Sequence, residues 1–210
     1  MKVIAFNGSP HKNGVIQGAL ELMRDEFAAV PGDEIEVEII HVGAENIRGC
    51  IACGQCAKQP RKCAFDDIVN QAAEKVNAAD GMIIGSPVYY GSIAGNFKCF
   101  LDRLFYSGLS LAFKPAFAVV SCRRSGGINA FHQLNNYFNL SRAIVVPSFY
   151  WGVVHGNDRE ELESDIEGNQ IVKNAAQNMA WLLRAMEMAK KEIPMPEKFK
   201  RAFTNFVRDE

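Results

Sequence analysis

Four cysteines, Cys50, Cys53, Cys56 and Cys63, fall within 14 positions of a 210-residue chain and read C-x2-C-x2-C-x6-C. Three thiolates at that spacing can wrap one face of a cubane cluster of the 4Fe-4S kind, and the fourth can close the site. Structural zinc more often uses two knuckles far apart in sequence, so it fits this compact set less well. A third chemistry is a group of thiols that are buried or redox-active and hold no metal. Gly49 and Gly54 supply the tight turns that either metal would need. In a reducing compartment such clustering points to metal or redox work more than to disulfides. Cys99 and Cys122 stand apart from the group and read as small buried hydrophobes.

Three other stretches have the composition of binding loops. Asn7-Gly8-Ser9-Pro10-His11-Lys12-Asn13-Gly14 has glycine at both ends and a hydroxyl at Ser9, and then opens a helix. Free N–H groups at the positive end of a helix dipole make an anion site, although the same residues also form ordinary turns. Neither GxxxxGK[ST] nor GxGxxG is present. Ser86-Pro87-Val88-Tyr89-Tyr90-Gly91-Ser92 offers two tyrosines that could flank a planar ring, or pack as core or interface aromatics. Ser121-Cys122-Arg123-Arg124-Ser125-Gly126-Gly127 offers backbone donors at its glycines, of the kind that stabilise a developing anion. Taken alone, Arg123 and Arg124 read as solvated surface.

Each loop follows a short apolar run, so strands must position them. Val3–Phe6, Met82–Ile84, Ala116–Val120 and Ile144–Val146 are continuous apolar runs, as in central parallel strands buried on both faces. The 34–42 segment alternates Ile35, Val37 and Ile39 with glutamates, a half-exposed strand. Helical stripes run over 14–29, 66–78, 93–104 and 170–190. Strand, glycine turn and helix in alternation predict an α/β doubly wound parallel sheet of five strands and five helices. Ligands of such sheets lie beyond the carboxyl ends of the strands. The 47–65 stretch is a cysteine-rich insertion after the second strand, within a domain spanning 1–193, and 194–210 is a polar tail.

GSPHKNG together with SPVYYGSIAGNFKCFLDRL resembles the NADPH-dependent FMN reductase family, in order and spacing, over residues 1–190. The resemblance implies a flavodoxin-like sheet of order 2-1-3-4-5 that binds FMN. Ser9, His11 and Asn13, with Gly14 at the helix start, would face the phosphate. Pro87, Val88, Tyr89, Tyr90 and Gly91 would line the ribityl chain and ring, and Ser121, Arg123, Gly126 and Gly127 would cover the pyrimidine end. His11 stands where the family usually has Arg, and Val15 and Ile16 where it usually has polar residues. The cysteine loop, followed by Asp66-Asp67-Ile68, is similar to that of the iron–sulfur flavoproteins. That implies a 4Fe-4S cluster on Cys50, Cys53, Cys56 and Cys63. The response-regulator variant of the fold needs acidic residues where this chain has Asn7 and Ser86.

The balance of 23 basic and 24 acidic residues argues against a nucleic-acid partner. No secretory signal or membrane span is evident, so a soluble cytoplasmic protein is expected. Phe149-Tyr150-Trp151-Gly152 is too aromatic for a loop left in water. It is expected to pack at the core edge or to form a contact in a homodimer or higher homo-oligomer, with the dimer favoured. The expected function is FMN-dependent electron transfer from NAD(P)H or a ferredoxin-like donor to a small acceptor such as a flavin or quinone. The alternative is a non-enzymatic carrier between protein partners. Neither needs a side chain as acid or base.

Overall fold

β1 (Lys2–Asn7) divides its side chains between two cores: Val3 and Ala5 pack on one side of the sheet, Ile4 and Phe6 on the other. That two-sided burial is what a central parallel strand requires. The structure, a computed structural model, describes residues 1–32, 34–58, 62–197, 200 and 202. In chain order the elements are β1, α1 (Val15–Ala29), β2 (Glu36–His41), α2 (Gln55–Lys58), α3 (Ile68–Ala78), β3 (Gly81–Tyr89) and β4 (Ser92–Ile93). They continue with α4 (Gly95–Tyr106), β5 (Pro115–Cys122), α5 (Gly127–Leu140), β6 (Ile144–Val145), β7 (Val153–His155), α6 (Arg159–Ser164) and α7 (Ile166–Glu192).

The parallel sheet runs β2-β1-β3-β5-β6, which is the expected 2-1-3-4-5 order of the five main strands. α1 and α7 cover one face, and α3, α4 and α5 the other. Helix starts follow their capping chemistry. Asp67 accepts from the Val69 amide at 3.1 Å to begin α3, and Asp165 accepts from the Gly168 amide at 3.0 Å to begin α7.

Two departures from the sequence reading concern strands. β3 runs on to Tyr89, turns at Tyr90 and Gly91 with φ of 51° and 74°, and pairs back as β4. Positive φ at both central residues gives a two-residue hairpin turn, so the second binding loop is a hairpin and Ile93 lies in β4 before the helix. The fifth strand is interrupted. β6 pairs with Pro115 and Ala116, the chain leaves the sheet at Pro147, and β7 rejoins beside Val120–Cys122. Proline has no N–H to give the ladder. Gly152 returns the chain so closely that a Cβ there would lie 2.3 Å from the Ala118 carbonyl oxygen. The excursion leaves Phe149 and Tyr150 more than half exposed.

The helices also exceed the five expected: the described residues hold α2 inside the insertion and α6 before α7. Among the described residues no helix is long and apolar enough to cross a membrane. Of the tail, 198–199, 201 and 203–210 lie outside the described residues.

Candidate functional site

Parallel pairing brings the three loops to one edge of the sheet. Asn7 of β1 is in register with Gly85 of β3, and Pro87 of β3 with Ser121 of β5. The chain passes from β1 outward to β2 and then back across to β3, so the edge above β1 and β3 is the topological switch point where such sheets bind ligands.

The first loop is held by a residue that the sequence reading passed over. Asn7 is fully buried. Its Oδ1 accepts from the Ser9 amide at 2.9 Å, and its Nδ2 donates to Gln17 Oε1 at 3.0 Å and to the Lys12 carbonyl at 3.4 Å. Ser9 is buried too, and its hydroxyl accepts from the His11 amide at 3.1 Å. His41, at the end of β2, bonds the Ser9 carbonyl through Nε2 at 2.7 Å. Gly43 closes the brace: a Cβ there would lie 2.0 Å from the Ser9 carbonyl oxygen. Gly14, the N-cap of α1, has no side-chain cap, so the first-turn amides are left to a ligand or to solvent. His11 and Asn13 are exposed at the rim. Val15 and Ile16 turn inward, with Ile16 filling the space beside Gly85, so this phosphate loop relies on backbone donors.

The second and third loops brace each other. A Cβ on Gly126 would come within 3.1 Å of Val88 and 3.3 Å of the Gly91 Cα. Asn129 Nδ2 donates to the Gly91 carbonyl, and Ser92 Oγ donates to Gln133 Oε1 at 2.8 Å. Buried Ser86 accepts from the Ala94 amide at 3.0 Å and closes the hairpin from beneath. Gly91, with φ of 74°, has no atom within 4 Å of where its side chain would be, so its outer side is open. Tyr89 and Tyr90 are exposed. α5 starts from Gly126, again without a side-chain cap. Arg123 and Arg124 are exposed and Ser121 is buried. Burial pushes the Cys122 thiol up, against the pull of the Gly127 and Arg124 amides. A groove of about 680 Å³ between α4 and α5, bordered by Phe105, Tyr137 and Leu140, shares no residue with the three loops.

The cysteines are not gathered. Cys50 and Cys53 are exposed, Cys56 and Cys63 are half-buried, and all are free thiols. Among the described residues no three ligating side chains stand close enough to hold one ion. The donor set fits a thiophilic centre in kind, not in its present arrangement. Residues 59–61, within the insertion, lie outside the described residues. Ala52 and Gly54 turn the backbone with positive φ, and one helical turn, α2, carries Cys56. Cys63 has partners of its own. Its sulfur accepts from Arg103 Nε and Nη2, each at 3.4 Å, and its amide donates to Asn70 Oδ1 at 2.7 Å. Burial disfavours the Arg103 charge, but Asp67 and Cys63 outweigh it and hold the guanidinium above its ordinary value. Cys99 corrects the sequence reading: it is half-buried, and its sulfur is 3.6 Å from where a Gly49 side chain would begin, next to Cys50. One helical turn separates Cys99 from Arg103, so both face the insertion from α4.

Known proteins share this architecture. The family described as NADPH-dependent FMN reductase matches residues 1–158. An iron-sulfur flavoprotein of Methanocaldococcus jannaschii is 30% identical over 196 residues, covering 89% of this chain and 100% of its own. One from Methanosarcina thermophila is 28% identical, covering 89% of this chain and 97% of its own. An archaeal flavodoxin superposes with a TM-score of 0.56 at 14% identity, over 88% of this chain and 99% of its own, which places the fold in the flavodoxin-like class.

Proposed function

This chain belongs to the NADPH-dependent FMN reductase family, and we propose on that footing that it holds FMN across the ends of β1, β3 and β5. There it passes electrons from NAD(P)H or a ferredoxin-like donor to a small acceptor such as a flavin or quinone. The observation that carries the reading is the uncapped start of α1, framed by a loop that buried Asn7 fixes from below. Bound FMN supplies the hydride and single-electron chemistry. The chain's own residues bind and orient. Ser9 and the α1 amides would hold the phosphate, the 87–91 hairpin would line the ribityl chain and ring, and the 121–127 loop would cover the pyrimidine end.

Cys50, Cys53, Cys56 and Cys63 would hold a 4Fe-4S cluster. The similarity to iron-sulfur flavoproteins along nearly the whole chain supports this, as does the thiolate donor set. Six free cysteines favour a reducing, cytoplasmic setting. The exposed aromatics of the 147–151 excursion favour a second copy as the partner that covers them. A second reading, an electron carrier between proteins, is favoured by the exposure of Cys50 and Cys53.

Anaerobically purified protein loaded with FMN should oxidise NADPH or NADH in steady state when a quinone or free flavin is supplied, and should sediment as a dimer or larger. Rapid reduction by ferredoxin with no NAD(P)H turnover would select the carrier, and a monomer would remove the second copy.

A further inference from the structure

The break in the fifth strand leaves a cleft of about 350 Å³ between α5 and the 145–151 segment, lined by Phe117, Phe131, Val146, Phe149 and Trp151 among others. It shares no residue with the three loops or with the cysteine insertion. The outer wall is tied to α7: Ser148 Oγ donates to the Ile171 carbonyl at 2.8 Å, and Asn178 Nδ2 donates to the Pro147 carbonyl at 2.9 Å. Tyr150 and Trp151 brace each other, with ring centroids 4.8 Å apart. Asn135 borders the cleft from α5. It is 8% exposed and stands among the buried Ala130, Leu134 and Phe138 of that helix. Its Nδ2 donates to the Phe131 carbonyl at 3.0 Å, which identifies the oxygen end of the amide. That oxygen, Oδ1, is buried and has no hydrogen-bond partner among the described residues.

A buried acceptor left without a donor costs stability that an apolar side chain of the same shape would not. Water is a poor remedy, because an ordered water needs roughly two to four polar partners and the lining is mostly aromatic and aliphatic. The matching occupant is a flat apolar ring that carries one N–H or O–H. We propose that the cleft binds a small aromatic molecule of the indole or phenol class, whose N–H or O–H donates to Asn135 Oδ1. Its volume lies in the usual range for small-molecule pockets, about 300–1,000 Å³. The amide meets the ligand by turning about its last side-chain torsion, which has a broad profile in asparagine. Turning gives up only the bond to the Phe131 carbonyl, and that carbonyl keeps the Asn135 backbone amide as its helical partner. The site stands apart from the flavin reading and does not rest on it.

Calorimetric titration of the full chain with indole and with benzothiophene tests this, because the two bicyclic rings match in shape and only indole has a donor. Wild type should bind indole about tenfold more tightly than benzothiophene, or better. N135L removes the acceptor and keeps the bulk of the side chain, and N135A is included in case leucine overfills the site. Circular dichroism checks that each variant is folded. In both, indole should weaken to the affinity of benzothiophene. Indole binding to wild type should be the same with and without saturating FMN. Wild type that binds no indole, or binds the two ligands equally, overturns the inference. Discrimination kept by a folded N135L or N135A, or indole binding abolished by FMN, places the ligand elsewhere and overturns it too. Sedimentation on the same samples covers the other occupant: indole binding that disappears as the protein dimerises gives the cleft to a second copy, against the proposal.

Discussion

Gly43→Ala should strip the protein of FMN while leaving it folded. The Cβ that alanine adds would stand 2.0 Å from the Ser9 carbonyl oxygen, 2.2 Å from its carbon and 2.6 Å from the Gly8 carbonyl carbon. All three are backbone atoms of the phosphate loop, so no flexible side chain can yield. That loop is clamped by the Asn7 side chain from below and by His41 at its carbonyl. Asn96 Nδ2 in turn ties the Gly43 carbonyl to α4 at 3.1 Å. Relief must therefore come from moving the loop whose amides would meet the phosphate. A displacement of this kind should weaken FMN binding at least 100-fold, about 2.7 kcal/mol. Gly54→Ala is the control. It meets no atom within 4 Å despite its φ of 70°, and it should bind FMN as wild type does. Fluorescence titration of the apoproteins gives both numbers, and wild-type affinity in Gly43→Ala would remove this loop from the site.

Asp67→Ala should be the most destabilising single change at the cysteine insertion. It leaves the Arg103 guanidinium, 1% exposed at its side chain, with no counter-charge. Breaking a buried pair from one side costs about 3–5 kcal/mol. The same change removes the cap of α3, since Asp67 Oδ1 accepts from the Val69 amide, for about 1 kcal/mol more. Asp67 itself is 28% exposed, so losing Arg103 leaves a carboxylate that water can reach, and R103Q should cost less. Asp66→Ala, one position earlier and exposed, should stay within about 0.5 kcal/mol of wild type. Urea unfolding of the apoproteins separates these cases. Equal midpoints for the Asp66 and Asp67 variants would mean that the Asp67–Arg103 pair bears little of the fold's stability.

The sheet was legible because its strands are apolar on both faces and its turns carry glycine, and neither signal depends on distant residues. The three loops were legible for the same reason: each begins where an apolar run stops. What holds them was not. Asn7 reads as a turn residue, and only its burial beneath Ser9 shows that its amide organises the loop. Gly43 looks like any glycine after a strand until the 2.0 Å approach to Ser9 is seen. The break in the fifth strand turns on Pro147 and on Gly152 returning to the Ala118 carbonyl, a match between segments about 30 residues apart that no local pattern carries. Cys99 reads as a small buried hydrophobe and nothing in FKCFLDRL singles out Arg103, because facing the cysteine loop is a tertiary placement. Spacing alone identified four thiols suited to a cluster, but not the sulfur of Cys63 turned toward a buried guanidinium.

The central claim, that the uncapped start of α1 with its Asn7-fixed loop binds the phosphate of FMN, is tested most directly by comparing FMN with riboflavin. The two share the ring and the ribityl chain and differ only in the phosphate. Titrating the apoprotein with each should give at least tenfold weaker binding for riboflavin, a loss of about 1.4 kcal/mol. Equal affinity for the two would contradict the assignment.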